Sequence, residues 1–332
     1  MTELILPDGY TTRPATLDDA QIVTDVLNAE VFHILGEHHF SLEECLQEWG
    51  EPGFDLTASS QCVFAPDGRL AGYVEVWDND ELPTRMQPFG ATHPDFFGLG
   101  VGTYMLRWAE QRCRQSLTRV PADVQARMLL SNPGYQPGIE LLQAEGFSYS
   151  RSFLRMEIDL NQEMPTAVFP DRFVMKTLPE LGLRPMFDAY DEAFRDHWGY
   201  VALEDKSEKF ARFEHVTNDP SFLPDLYWGI CDGDGIVAVG LCLPKSNEDP
   251  TVGHVYNLGV RPQWRKQGLA LNLLYFIFDQ FKQRGFKKVA LEVDSNSLTG
   301  ATRLYERAGM VQVQDNQVWE KVIQEGRVLE AE

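Results

Sequence analysis

The stretch Tyr256-Asn257-Leu258-Gly259-Val260-Arg261-Pro262-Gln263-Trp264-Arg265-Lys266-Gln267-Gly268-Leu269-Ala270 decides how the chain is read. An apolar strand ends near Val260, and Pro262 stops it, because proline has no N–H to give to a sheet. Gly268 and Ala270 then open a helix. Its apolar positions Leu271, Leu274, Tyr275, Phe278 and Phe281 recur every three or four residues, which makes one buried stripe. Gly285 is placed to end it. The first turn of such a helix has N–H groups without intrahelical partners and a partial positive charge. Small residues at 268 and 270 let an anion such as a pyrophosphate come close to that backbone. Arg261, Arg265 and Lys266 put positive charge beside it. The same turn also suits plain tight packing of helix on sheet. A Walker loop is excluded by the missing Gly-Lys-Ser/Thr, and a dinucleotide fold by the missing G-x-G-x-x-G in a βαβ unit.

Working outward, the same order of features occurs twice. Pro7-Asp8 and Pro170-Asp171 each precede a short strand, then a helical segment, Asp19–Glu30 or Leu181–Phe194. A hairpin follows in each half. The first is Gln61–Phe64 and Leu70–Trp77 around Pro66-Asp67-Gly68; the second is Leu226–Cys231 and Ile236–Leu243 around Asp232–Gly235. A glycine-bearing loop then opens a helix, His93–Gly102 before Thr103–Arg114 in the first half and Arg261–Ala270 before Leu271–Arg284 in the second. Pro7 to Pro170 and Gly146 to Gly309 share one spacing, so the chain reads as a tandem duplication of one α+β unit. The polar segment Asn161–Phe169 reads as a linker. The expected division is a first domain over 1–160, a linker at 161–170 and a second domain over 171–332.

Composition limits the partners. A net charge of −21 leaves little basic surface for a phosphate backbone, which argues against nucleic acid. A cationic substrate is mildly favoured by that field. No apolar run approaches the length needed to span a bilayer, and the first residues lack a signal-peptide pattern, so a cytoplasmic protein without membrane contact is expected. Five scattered cysteines, Cys45, Cys62, Cys113, Cys231 and Cys242, suit neither a zinc site nor a disulfide framework, and reduced, buried thiols are expected. No metal is expected.

Val260, Pro262, Arg265, Gly268 and Ala270 form V-x-P-x-x-R-x-x-G-x-A, which resembles the acetyl-CoA-binding signature of the GNAT superfamily of N-acetyltransferases. The run Val293–Met310, with Asn296 and Tyr305, resembles that superfamily's second cofactor-side segment. The resemblance extends to both halves. It implies two tandem GNAT-like domains of α+β class, each a mixed, mostly antiparallel central sheet flanked by helices. It also implies an N-acyltransferase, most simply an acetyltransferase, that moves an acyl group from acetyl-CoA or another acyl-CoA to a primary amine of a small molecule. A non-catalytic acyl-CoA-binding or sensing protein is the alternative. A monomer or a homodimer fits equally.

Acyl transfer from a thioester to an amine needs a base for the amine, a donor for the oxyanion, a proton or equivalent for the thiolate, and alignment of the two substrates. By the resemblance, strand Val255–Val260 carries a bulge and splays from Lys288–Val293. The backbone of Leu258, Gly259 and Val260 then meets the thioester arm, while Arg265, Lys266, Gln267, Gly268, Leu269 and Ala270 hold the phosphates and Asn296 adds a cofactor contact. Tyr305 is the expected general acid, on a short helix that Thr299 is placed to cap; its pattern alone also fits a core aromatic. His254, which can accept a proton near neutral pH, and Glu292, on the outward face of Val289–Val293, are the candidate bases. Each also fits a polar strand residue without a role. Asp196, His197 and Trp198 are expected on the acceptor side, by ion pairing and stacking. In the first half the Arg position is Phe97, no Lys or Arg lies between His93 and Gly102, and Leu142 stands where Tyr305 does. That half is expected to be a degenerate copy and the second to be catalytic.

Overall fold

The computed structural model describes residues 4–36, 38–218, 222–233, 235–244, 249, 251–297 and 300–329. Asp234, in the turn of the second hairpin, and Thr299 lie outside the described residues. The chain divides into two compact units. One is the chain up to Ser150 together with Gln317–Leu329; the other is Arg151–Asn316.

The first unit runs β1 (Thr11–Arg13), α1 (Ala20–Leu35), α2 (Leu42–Trp49), α3 (Leu56–Ser59), β2 (Ser60–Phe64), β3 (Leu70–Trp77), β4 (Arg85–Thr92), α4 (Val101–Ser116), β5 (Ala126–Asn132) and α5 (Gln136–Ala144). Its strands lie in the order β1-β2-β3-β4-β5, antiparallel except where β4 meets β5. The next strand, β6 (Ser148–Asp159), enters the second unit at Arg151. There follow β7 (Phe173–Thr177), α6 (Leu178–Leu181), α7 (Leu183–Ala193), α8 (Ser207–His215), β8 (Tyr227–Asp232), β9 (Gly235–Leu243), β10 (Val252–Val260), α9 (Leu269–Gln283), β11 (Lys288–Asp294), α10 (Ala301–Arg307) and β12 (Val311–Gln324). In this unit the order is β7-β8-β9-β10-β11-β6, antiparallel except where β10 meets β11.

The last strands are exchanged. β6, from the first half of the sequence, pairs with β11, and β12, from the second half, pairs with β5. The compact units therefore part at Ser150 and again at Asn316, whereas the sequence suggested a single boundary in the linker at 161–170. Both strands satisfy a sheet edge that would otherwise leave a row of N–H and C=O groups unpaired. Hydrophobic alternation marks β6 and β12 as strands, but carries no information about which edge each one joins.

Helix α9 carries the core of the second unit. Leu273, Leu274, Ile277, Phe278 and Phe281 are fully buried against β8–β11, and Leu271 and Tyr275 sit at its margin. Burial of five such side chains contributes about 1.5–3 kcal/mol each. Phe281 also explains a glycine in the facing strand. A Cβ on Gly253 would lie 2.4 Å from the Phe281 ring, so β10 has no side chain there. All five cysteines are buried and unpaired, as expected of reduced thiols. Phe281→Ala should remove about 3–5 kcal/mol of stability by emptying this contact, read as a lower urea midpoint with an unchanged slope.

Candidate active site

The site begins where two neighbouring strands separate. β10 pairs with β11 only through Val252–His254 opposite Lys288–Ala290. On its other side β10 stays paired with β9, but the register shifts between Val255 and Asn257, so Tyr256 is the extra residue of a bulge. A bulge bends and twists its strand, and here it turns the end of β10 away from β11. The bulge expected within Val255–Val260 is thus present, at Tyr256. Gly259 meets a different need: a Cβ there would lie 2.6 Å from the Phe194 ring and 2.9 Å from the Ala193 Cβ, so its absence lets the end of α7 sit on the strand.

A cavity of about 520 Å³ opens between the parted strands. It gathers His254 and Leu258 from β10, Glu292 from β11, Asn296 from the loop after it, Tyr305 from α10, and Asp196, His197 and Trp198 from the loop after α7. His254 Nε2 lies 2.7 Å from Glu292 Oε2, so the two candidate bases form one pair. If Nε2 carries the proton and donates to the carboxylate, Nδ1 is left as the acceptor. Tyr305 is buried, and burial raises its phenol to about 12, so it holds its proton throughout the neutral range. His197 is held below the ordinary histidine value, chiefly by burial, and so is neutral near pH 7.

Two expected charges are spent on each other. Arg265 ion-pairs with Asp196 through both nitrogens of its fork, one of them at 2.9 Å. Its remaining donors reach Ala193 O at 2.9 Å and Val260 O at 3.0 Å. Arg265 therefore clamps the loop after α7 to the end of β10, rather than facing an anion, and Asp196 is paired before any amine arrives. Hydrogen bonding to Arg265 also holds the Asp196 carboxyl below its ordinary value. Arg261 is similarly tied to Glu192 and to Ile236 O.

Arg265 to Ala270, with Gly259 and Val260, lie outside the cavity lining. The loop still has a distinctive backbone. Lys266 and Gly268 both take left-handed φ, 61° and 78°, and Lys266 is the one non-glycine to do so among the described residues. Lys266 is exposed and has no ion pair among the described residues, and Gln267 accepts from Arg172 at 2.7 Å. Gly268 then caps a helix of 15 residues.

Strand β6 adds side chains that were not legible as site residues. Arg151 and Phe153 line the cavity. Arg151 stacks 3.8 Å over the Trp198 ring and bonds Asp294 at 2.6 Å. Arg151-Ser152-Phe153-Leu154-Arg155 carries no strict alternation of polar and apolar residues, and its pairing with β11, some 140 residues away, lies outside any sequence window.

The sequence profile of the Acetyltransferase (GNAT) family matches residues 26–129 and again 183–310, which together cover most of the chain. The chain belongs to the GNAT acetyltransferase family. Its relatives include a mycothiol acetyltransferase of Streptomyces bingchenggensis, 24% identical over 255 residues, which cover 74% of this chain and 75% of the relative. Another, from Thermobifida fusca, is 26% identical and covers 63% of this chain and 67% of that one. Among solved structures, a GCN5-related N-acetyltransferase from Sphaerobacter thermophilus superposes with a TM-score of 0.81 at 29% identity, over 98% of this chain and 99% of that one. A tandem GNAT protein from the clavulanic acid biosynthesis pathway shares the fold, with a TM-score of 0.67 at 13% identity, over 96% of this chain and 100% of that one. The α+β, tandem reading of the chain is thereby shown. Among the described residues no helix is long and apolar enough to cross a membrane.

The first unit repeats the backbone geometry with a different lining. β4 pairs with β5 only at Arg85–Arg127 and Met86–Met128, and then the strands part. Gly98 and Gly100 take the left-handed φ values, 74° and 89°, seen at Lys266 and Gly268. A cavity of about 480 Å³ lies in the gap, lined by Phe97 and Leu142 and by no Lys, Arg or His. Its one ionisable carboxyl is Glu30, which accepts from the Thr92 N–H at 3.0 Å and which burial raises to about 7. The folded state thus keeps a proton that the unfolded chain releases near 4.5, so stability falls as pH rises from about 4.5 to about 7. Glu30→Gln keeps an acceptor for Thr92 and should remove that loss. Thermal melts should show the variant about 1–3 kcal/mol more stable than the parent at pH 7.5 and equal to it at pH 4.

Proposed function

We propose that the second unit transfers an acyl group, most simply acetyl, from acyl-CoA to the primary amine of a small molecule by direct attack of the amine on the thioester. One observation carries this reading: the His254–Glu292 pair and the protonated Tyr305 line the same cavity, at the gap where β10 leaves β11. His254 Nδ1, directly or through a water, takes the proton from the amine. The backbone of β10 at Leu258–Val260, beyond the last residue paired with β11, is the proposed donor edge for the thioester carbonyl and the partner of the pantetheine arm. Tyr305 donates to the departing thiolate.

The residues present fit an acyl-CoA. The left-handed turn at Lys266 and Gly268 presents the first N–H groups of α9, including those of Leu269 and Ala270, to a pyrophosphate. Lys266 supplies the mobile cation, and Asn296 a polar contact nearer the reacting end. Arg265 acts in this scheme by holding the loop, not by touching phosphate. On the acceptor side, each carboxylate of the cavity is already matched by a cation: Asp294 by Arg151, Asp196 by Arg265, and Glu292 by Arg155. That balance favours an acceptor with a single amine on a neutral, polar body over a polyamine, with Trp198 and His197 as its walls. The name carried by the curated relatives, mycothiol acetyltransferase, agrees with a small-molecule acceptor. The first unit, which lacks a counterpart to Tyr305 and to the loop cations, is proposed as a non-catalytic copy.

Tyr305→Phe should lower kcat by about 10²-fold with little change in the acetyl-CoA KM; an unchanged kcat removes Tyr305 from the reaction. Gly268→Val forces a β-branched residue into left-handed backbone and should abolish acetyl-CoA binding to this unit by calorimetry. Normal binding by this variant would place the pyrophosphate elsewhere.

A further inference from the structure

We infer that Arg155 is a positioning residue of the His254–Glu292 pair, and that the first half of the sequence completes the site of the second unit by delivering it on β6. The inference rests on the proposed role of His254 as base. Arg155 stands directly opposite Glu292 in the antiparallel β6–β11 pairing, with Phe153 opposite Asp294. Residues 151, 153 and 155 share one face of the strand, and the first two line the cavity.

Arg155 is a buried cation, 7% exposed, and such a charge is costly unless it is paired. Its Nε lies 3.2 Å from Glu157 Oε1, but Glu157 also holds Lys288 at 2.9 Å. Its Nη1 lies 3.5 Å from Glu292 Oε1. The other carboxylate oxygen, Oε2, is the one at 2.7 Å from His254 Nε2. Glu292 is thus held between an arginine and an imidazole, one oxygen to each. Two consequences follow. The carboxylate is fixed with Oε2 toward the ring, which selects the tautomer with Nδ1 as acceptor. The positive charge of Arg155 behind Glu292 offsets part of the negative charge that the carboxylate presents to the ring.

Several other groups surround His254. Glu292 faces it from β11, and the Tyr256 ring lies 6.3 Å away on its own strand. Tyr305 contributes from α10, and Arg155 and Glu157 stand on β6 behind Glu292. Across the cavity are His197 and two closed pairs, Arg151 with Asp294 and Asp196 with Arg265. Arg155 takes no part in those two pairs, and Glu292 is the group that links it to His254.

The test compares Arg155→Met and Arg155→Lys in the full chain. In Arg155→Met the acid limb of the kcat/KM profile should move up by about one pH unit, with about a threefold loss at pH 7 that recovers at higher pH, and the acetyl-CoA KM should not change. Arg155→Lys keeps the charge and should return the limb toward its original position, though without the planar fork. In parallel, the His254 imidazole is titrated by nitrogen-edited NMR without substrates, assigned by comparison with His254→Gln. Its pKa should rise in Arg155→Met and not in Arg155→Lys. An unmoved His254 pKa in a folded Arg155→Met protein overturns the inference. If Arg155→Met does not fold, Arg155→Gln carries the same test. A shifted pKa in a protein with no acyltransferase activity would uphold the positioning and reject the proposed reaction.

Discussion

The site depends on one backbone event, the end of β10–β11 pairing after His254. A strand that leaves its neighbour exposes N–H and C=O groups that need other partners. β10 can tolerate this because its other edge remains bonded to β9 up to Val260, so the freed edge stays rigid. The bulge at Tyr256 supplies the twist, and Gly259 lets Phe194 and Ala193 support the strand from behind. A cavity with one ordered backbone edge results, which is a binding geometry before any side chain is considered.

Around that edge, charge is organised by pairing. The protein is strongly acidic, yet each carboxylate that lines the cavity faces an arginine: Asp294 faces Arg151, Asp196 faces Arg265 and Glu292 faces Arg155. Arg265 shows the consequence of burying a charge. Its fork joins Asp196 and two backbone carbonyls, so it is consumed in holding a loop on a strand. The loop at 265–270 is left to act through its backbone and one exposed lysine. The first unit keeps that backbone turn in Gly98 and Gly100 but has no cation in its cavity and carries Leu142 where a phenol would be needed. The turn there leads into α4, with Gly100 in left-handed backbone just before Val101.

The exchange of β6 and β12 gives the first half a structural role independent of its own cavity. Each sheet closes its edge with a strand from the other half of the sequence. A truncation at the linker near 161–170 would remove β6 from the second sheet, and with it Arg151, Phe153 and Arg155.

Local chemistry in the sequence was enough for the duplication, the α+β class and the strand–loop–helix from Tyr256 to Phe281, since periodicity, proline and glycine act over a few residues. It was also enough to single out His254, Glu292, Tyr305, Asp196, His197, Trp198 and Asn296, which the fold gathers around one cavity. Only the tertiary structure decided that His254 and Glu292 are one pair, because 38 residues and a crossover separate them. It alone showed that Arg265 and Asp196 neutralise each other and that the bulge falls at Tyr256. The same holds for the edge chosen by β6: a strand's sequence sets which face is buried, whereas its partner is set by which edge the rest of the fold leaves open.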